Sequence, residues 1–422
     1  MAQAGPQSGA APEHGDAGRR IPSIVLVAAI VATAIKLVLA ARTIGTNDIR
    51  TFWFFLQEYR GSGAKVLYEK DPDFNHPPFI LHWLIALRWL WLATGFRPWF
   101  LIRLPSILAD LGSVWLAARL LGPRLSEPAN RFTLLLVAAA PASILISGFH
   151  GNNDPVMIFF LLLSLYLLER TAPDWIAGIA MGMAVNIKVV PLVFWPAVFL
   201  WLPSWRRRLE YFGAAVLAVV LGSAPLIFQE PALLARKVLG YPSSYGFWGI
   251  SRILTRSPAF EPLSNLFQSH GRLFLVASLL GLSAWMNRGS QRTPLFRQIG
   301  VLAFAFLTVS PGFGVQYLAW LVPWIACLAS GAGAWAAVAW TLSSGAFLFL
   351  VYTFWCQGVT VEQSDPNWLG ANFWSRGLPW SYADANTIHE WRGRIVPVEI
   401  ACWASVVAVF VAQLRAVARA KA

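Results

Sequence analysis

Residues 174–203 read DWIAGIAMGMAVNIKVVPLVFWPAVFLWLP, a thirty-residue apolar stretch with one cation, Lys188, near its middle. The next basic cluster, Arg206-Arg207-Arg208, marks a cytoplasmic loop by the positive-inside rule. The stretch leaves from the cytoplasmic side and must return to it. It is therefore expected to be two short crossings that meet near Lys188. That reading sets the direction of every apolar run on either side.

Composition agrees with a membrane chain. Hydrophobic residues make up 57% of the 422 and charged residues only 13%, where a soluble domain carries roughly 25% charge. Apolar runs of ~20 residues recur from Ile21 onward. The net charge of +13 is no nucleic-acid footprint, because the basic residues gather in short clusters between those runs. Arg19-Arg20, Arg119/Arg124/Arg131, Arg206–Arg208, Arg288/Arg292/Arg297 and Arg415/Arg419/Lys421 mark the inside, whereas most acidic residues fall in 43–76, 230–270 and 357–394. Crossings are then expected at 21–41, 99–121, 132–148, 155–169, twice within 174–203, and at 210–228, 272–286, 298–310, 315–329, 332–356 and 395–412. The fold class is an all-α polytopic membrane protein of about 12 transmembrane helices, with juxtamembrane helices in the first outer loop.

Residues 77–94 are long enough to span if upright, yet counting them would put every later basic cluster outside. They hold His82, Arg88 and Trp83, Trp89 and Trp91, and Trp prefers the interface. The segment is expected to lie in the outer leaflet. Its partner is 47–59, where Ile49, Phe52, Trp53 and Leu56 share one helical face. The expected divisions are a disordered cytoplasmic tail at 1–20 and a first transmembrane module at 21–229 with outer loop 42–98. An outer loop at 230–271, a second module at 272–412 with outer loop 357–394, and a tail at 413–422 follow. Cys327, Cys356 and Cys402 show no metal spacing and read as packing residues.

This parity gathers the polar interruptions on one side: Asn47-Asp48, His76, His150 with Asn152 and Asp154, Lys188, and Gln316-Tyr317. Intramembrane ionisable groups are costly and mark sites by default. A lone outer carboxylate, Asp48, suits a general base. A lysine with histidine or arginine neighbours suits a phosphate, and aromatics suit sugar faces and isoprenoid chains. The set describes sugar transfer from a polyprenyl phosphate to a hydroxyl.

The motifs resemble, in order along the chain, those of the GT-C superfamily of membrane glycosyltransferases, in particular the dolichyl-phosphate-glucose-dependent glucosyltransferases. Asp48 matches the family's first-loop catalytic acid. Phe74-Asn75-His76-Pro77-Pro78-Phe79 resembles Asp-Tyr-Pro-Pro-Leu, and Ile107-Leu108-Ala109-Asp110 resembles Leu-Ile-Ala-Asp. His150-x-Asn152-x-Asp154 parallels His-Phe-Gln-Tyr-Asn, and Asn186-Ile187-Lys188 parallels Asn-Tyr-Lys. Tyr245-Gly246-Phe247-Trp248-Gly249-Ile250 is similar to a fourth-loop signature of bacterial polyprenyl-phosphate mannosyl- and arabinosyltransferases. Asn152, Asp154 and His76 depart from the glucosyltransferase pattern.

The resemblance implies a GT-C-like fold, with the catalytic module at 21–229, and inverting transfer of a hexose (glucose or mannose) or a pentose. Asp48 is the implied base, and Lys188, with His150 or Arg252, the implied holder of the donor phosphate. Asn47, His76, Asn152, Asp154, Trp248, Gln316 and Tyr317 are the remaining substrate-contact candidates. The implied partners are a polyprenyl-phosphate sugar, a lipid-linked, glycan or protein hydroxyl acceptor and the bilayer, with the site facing outward from a bacterial inner membrane. No cofactor is expected, although some relatives bind a divalent cation and Asp48 with Asp154 are candidate ligands.

Plainer roles compete. Asp48 and Asp154 can be helix caps, Lys36 and Lys188 can snorkel, Asp110 can pair with an internal arginine or histidine, and Trp248 and Tyr317 can be interface aromatics. A transporter or flippase would show internal repeats, and none is evident. A non-catalytic scaffold in envelope assembly would not need Asp48 and Lys188 on one face.

Overall fold

The computed structural model describes residues 21–355 and 385–421, apart from positions 44, 171, 242, 290–291 and 329–331. The expected tail at 1–20, Cys356 and most of the loop 357–394 lie outside the described residues. The chain is an all-α multi-pass membrane protein. Its helices run α1 Ser23–Arg42, α2 Asn47–Lys70, α3 Phe79–Thr94, α4 Pro98–Leu121, α5 Pro128–His150 and α6 Asp154–Glu169. Then come α7 Asp174–Ile187, α8 Val190–Trp201, α9 Trp205–Ser223, α10 Gly249–Leu254 and α11 Glu261–Asn287. Helices α12 Leu295–Val309, α13 Val315–Cys327, α14 Ala332–Trp355 and α15 Ala385–Lys421 complete the order. Ser23–Arg42, Pro98–Leu121, Pro128–His150, Ala332–Thr353 and Ile395–Lys421 are long and apolar enough to cross a membrane, and shorter apolar helices lie between them.

The thirty-residue stretch breaks as expected. Helix α7 stops at Ile187, Lys188 takes an extended conformation, and α8 opens with Pro191 in its first turn. A 14-residue helix rises only ~21 Å, less than a ~30 Å hydrocarbon core. Helix α13 solves the opposite problem. It is a 3₁₀ helix, and thirteen residues at ~2.0 Å each rise ~26 Å, which lets a short run reach between the two ends. It is apolar on all sides and buried from Tyr317 through Ala326, so it forms the core against which α5, α6 and α12 pack.

The ends of these helices sort by charge. Helix α6 runs from Asp154 to Glu169, α7 from Asp174 to Ile187 with Lys188 directly after it, and α13 from Val315 to Cys327. Arg124, Asn130, Glu169, Arg297 and Cys327 line one pocket, Arg207 pairs with Asp174 at 2.7 Å, and Arg292 donates to the Trp201 carbonyl. That is the basic end. Asp154, Lys188 and Tyr317 meet at the other. Helix α3 stays there: His76 precedes it beside Asp48, and α4, which follows it, reaches the Thr43 and Gly148 backbone through Arg103. It starts and finishes at one end, so it is no crossing, and it packs on α2 with the Trp53 and Trp91 rings 5.2 Å apart.

Three expectations change. Helix α2 continues past Tyr59 to Lys70 with a kink at Gly63, because Leu67 and Tyr68 bury their side chains beyond the polar Gly61-Ser62-Gly63 step. Helix α11 begins at Glu261 rather than near 272. Lys36 does not snorkel; it is buried and bonds Asp110 at 2.9 Å and Ser143 at 2.7 Å. Asp110 also accepts from Ser143 and Ser147, so its partner is this lysine and not an arginine or histidine.

Candidate active site

Asp48 stands in the first turn of α2, after Thr46 in the capping position. Thr46 does not cap through its side chain. Its hydroxyl instead donates to the His150 carbonyl at 2.9 Å and lies 3.4 Å from His150 Nδ1. The helix α5 that delivers His150 ends in a π-turn, Ile146–His150, a distortion found mostly at functional sites. His150 Nε2 donates to Asp48 Oδ2 at 2.9 Å, and Asn152 Nδ2 donates to the same oxygen at 3.1 Å. Burial alone would raise the Asp48 carboxyl. His150, by charge and hydrogen bond, and then Asn152 and Lys188 outweigh it and hold Asp48 at about 2. Its side chain keeps 39% exposure, so a bound hydroxyl can reach the carboxylate.

Asn152 is the hinge of the cluster. Its carbonyl oxygen accepts the Asp154 N–H at 2.9 Å while its amide holds Asp48, and its own backbone carbonyl accepts from Ser106 at 2.7 Å. Asp154 is fully buried and grips Lys188 through both oxygens at 2.8 and 3.0 Å. Trp320 Nε1 donates to Asp154 Oδ2 at 2.7 Å. The Lys188 ammonium, 14% exposed, lies 5.1 Å from the Tyr317 ring centroid and 5.6 Å from that of Trp320. These two rings stack at 4.0 Å. With two ammonium hydrogens on Asp154, a third remains for a ligand.

Asp48 and Lys188 therefore share one end and one connected set. His76 joins them inside an aromatic cage of Phe52, Phe55 and Phe74. Burial, then the Lys188 charge, pushes its imidazole down to about 3 against the pull of Asp48, so the ring is neutral. Among the described residues its buried Nδ1 has no hydrogen-bond partner. Trp248 is more remote. It stacks on Phe313 at 4.1 Å and donates to the Leu307 carbonyl, and the Phe313 ring lies between it and Tyr317. A two-residue strand pair, Ser244–Tyr245 with Gly312–Phe313, ties that loop to the turn before α13. Gln316 is half-buried beside Tyr317, and the Asn47 side chain lies outside the described residues.

Three candidates have protein partners of their own. Arg252 is not drawn to the cluster; it bonds Glu399 of α15 at 3.3 Å and the Gly246 carbonyl at 3.2 Å. A basic residue in an outer loop suggested a phosphate ligand, but its acidic partner lies far along the chain. His150 is not free for a phosphate either, since it is buried with its ring nitrogens at Asp48 and Thr46 and Tyr352 packed on its face at 5.3 Å. Asp154, the other residue considered for a cation, has both oxygens accepting from Lys188 and one also from Trp320. Among the described residues no three His, Cys, Asp or Glu side chains converge as metal ligands.

The sequence reading missed Arg103, Trp320, Tyr241 and Arg272. Burial raises the Tyr241 phenol, and Asp73, Lys188 and Asp48 all act on it. Arg272 donates to the Gly240 carbonyl at 3.5 Å and to that of Tyr241, which places a guanidinium on the loop over the cluster.

The chain is similar to several known proteins. The polyprenol-phosphate-mannose-dependent alpha-(1-2)-phosphatidylinositol pentamannoside mannosyltransferase of Mycolicibacterium smegmatis is 25% identical over 333 residues, 74% of this chain and 76% of that protein. The putative mannosyltransferases YkcB and YycA of Bacillus subtilis are 27% and 30% identical over 183 and 156 residues. The matches cover 38% and 35% of this chain but only 25% and 22% of those proteins, so the chain spans about a quarter of their length. The crystal structure of ArnT from Cupriavidus metallidurans bound to undecaprenyl phosphate is 13% identical with a TM-score of 0.48, covering 93% of this chain and 77% of that one. Residues 74–311, more than half of the 422, match the model of glycosyltransferase family 87, and the chain belongs to that family.

Proposed function

We propose that this glycosyltransferase moves a hexose, glucose or mannose, from a polyprenyl-phosphate donor to a hydroxyl acceptor, on the non-cytoplasmic face of a bacterial inner membrane and with inversion. One observation carries the reading: a half-buried carboxylate held ionised, Asp48, is joined through Asn152 and Asp154 to a lysine ammonium at the same end. The mycobacterial relative, named for a polyprenol-phosphate-mannose donor, supports the donor class.

In the reaction the acceptor oxygen bonds to the anomeric carbon as the bond from that carbon to the phosphate oxygen breaks. The electron pair leaves on polyprenyl phosphate, and the hydroxyl proton passes to the Asp48 oxygen that His150 and Asn152 do not hold. Lys188 offers its remaining N–H to the phosphate, held in place by Asp154 and Trp320. Arg272 replaces Arg252 as the second cation. Tyr317, Trp320 and the neutral His76 face the sugar. No step runs through a divalent ion, and an unchanged rate in chelator is the expected result.

The test is transfer of tritiated mannose from polyprenyl-phosphate mannose by the full chain in liposomes. General-base catalysis contributes ~10²–10⁴-fold, so Asp48→Asn should remain folded and lose about that much kcat. Lys188→Ala should raise the donor KM. Near wild-type turnover in Asp48→Asn, or no transfer by the wild type, refutes the proposal.

A further inference from the structure

We propose that Arg103 is a positioning residue for the transfer, a buried guanidinium that fixes the separation of Asp48 and His150 by pinning together the two backbone segments that carry them. The inference rests on the reading of Asp48 as the base.

Arg103 sits in α4 and is completely buried, in a helix long and apolar enough to cross the bilayer. A charge there is costly and marks function. Its fork reaches in three directions. Nε donates to the Trp99 carbonyl of its own helix at 2.9 Å. Nη1 donates to Thr43 Oγ1 and to the Gly148 carbonyl, each at 2.9 Å, and to the Phe149 carbonyl at 3.3 Å, while Nη2 donates to the Thr43 carbonyl. Thr43 caps α1, and the chain passes from it through Gly45 to Asp48. Gly148 and Phe149 belong to the π-turn that ends in His150. One rigid planar group thus spans both segments, a geometry a lysine point charge does not reproduce.

The two segments are in close backbone approach around this pin. Gly45 has φ +98, and a Cβ there would stand 2.5 Å from the Phe149 carbonyl oxygen and 3.5 Å from Arg103 Nη1. Gly151 has φ +84, and a Cβ there would meet Ile49 at 2.0 Å and Arg103 Cγ at 3.4 Å. Both positions adopt backbone conformations that side chains disfavour, and both surround the guanidinium. Apart from the Thr43 hydroxyl, these contacts go to main-chain carbonyls, so what Arg103 determines is where the backbone segments of the site lie. None of these five contacts is to the Asp48 or His150 side chain. Arg103 acts through them.

The acid limb of activity reports that pairing. The groups facing Asp48 are His150 at the end of α5, Asn152 between α5 and α6, Lys188 between α7 and α8, His76 ahead of α3 and Tyr241 in the loop after α9. Only the His150 and Asn152 contacts depend directly on the segment Arg103 pins. Arg103→Lys and Thr43→Val are assayed in proteoliposomes with undecaprenyl-phosphate mannose and an octyl mannoside acceptor, beside wild type and His150→Ala. A misplacement near 1 Å costs roughly 10²-fold, so Arg103→Lys should lower kcat by about that factor while the donor KM stays within about twofold. Its acid limb should move to higher pH, and the loss should largely vanish in the His150→Ala background, where the contact is already gone. Thr43→Val should show the same direction, more weakly, if Arg103→Lys does not fold. An unmoved acid limb in both variants, or a rate loss that multiplies fully with His150→Ala, overturns the inference. Absence of transfer by wild type instead refutes the function on which it rests.

Discussion

The Asp48 carboxylate carries opposing influences whose balance is testable. Burial raises it, and His150 is the largest of the effects that bring it down to about 2. A base must be deprotonated to act, so wild-type kcat/KM should stay flat down to a pH well below the ordinary carboxylate value of 3.8. In His150→Ala the burial remains while its main opponent is gone. The folded-state value then rises from about 2, and activity fades as pH falls through that higher value. Measured between pH ~4 and ~8, the variant should lose rate toward the acid side where wild type does not; coincident profiles would refute this account. The same residue scale explains what was legible. Asp48, His150, Asn152, Asp154 and Lys188 interrupt apolar runs, and polar groups against such a background stand out. Arg103 stands inside a run and bonds to backbone carbonyls, which leave no pattern in a sequence. Arg252 stood out equally well, yet the side chain that claims it, Glu399, is remote in the chain.

Helix packing sets where Lys188 can be. Gly178 and Gly182, four apart on α7, lie directly against α9. A Cβ at Gly178 would fall 2.1 Å from the Tyr211 carbonyl oxygen, and one at Gly182 would fall 2.5 Å from that of Ala215. Small residues spaced in this way let membrane helices touch backbone to backbone. Two residues before Lys188, Asn186 donates to the Ala218 carbonyl of α9 at 2.8 Å, so the approach of the two helices reaches the site. Gly178→Ala must push α9 away, since its neighbour is main chain. Overpacking of this kind costs ~1–3 kcal/mol. The expected result is a lower melting temperature in detergent together with, on the proposed phosphate role of Lys188, a raised donor KM. A stability loss with unchanged KM would separate the packing from the site. The break at Lys188 was readable, because a thirty-residue apolar stretch between basic loops has to turn. The 3₁₀ form of α13 was not, since its hydrophobicity runs all round and carries no period.

At the scale of the molecule, the separation of charge between the two ends decides which way the enzyme faces. Arg124, Arg207, Arg292 and Arg297 gather where α6 finishes and α7 starts, and the Asp48–Lys188 cluster occupies the other end. Cytoplasmic loops carry the excess of Lys and Arg, so the basic end should face the cytoplasm and the site the exterior. That assignment rests on α3 not crossing, as a single extra crossing would reverse every later loop. Single cysteines report it in a background with Cys327, Cys356 and Cys402 replaced by serine. Lys70, exposed two residues after the Tyr68 that donates to the His76 carbonyl, and Arg206, 89% exposed at the basic end, are suitable positions. A membrane-impermeant maleimide should label Lys70→Cys in intact cells and Arg206→Cys only after permeabilisation. Labelling of both in intact cells would break the two-ended arrangement. The reverse pattern would keep the arrangement and turn the site inward, where the acceptor would have to be a cytoplasmic hydroxyl.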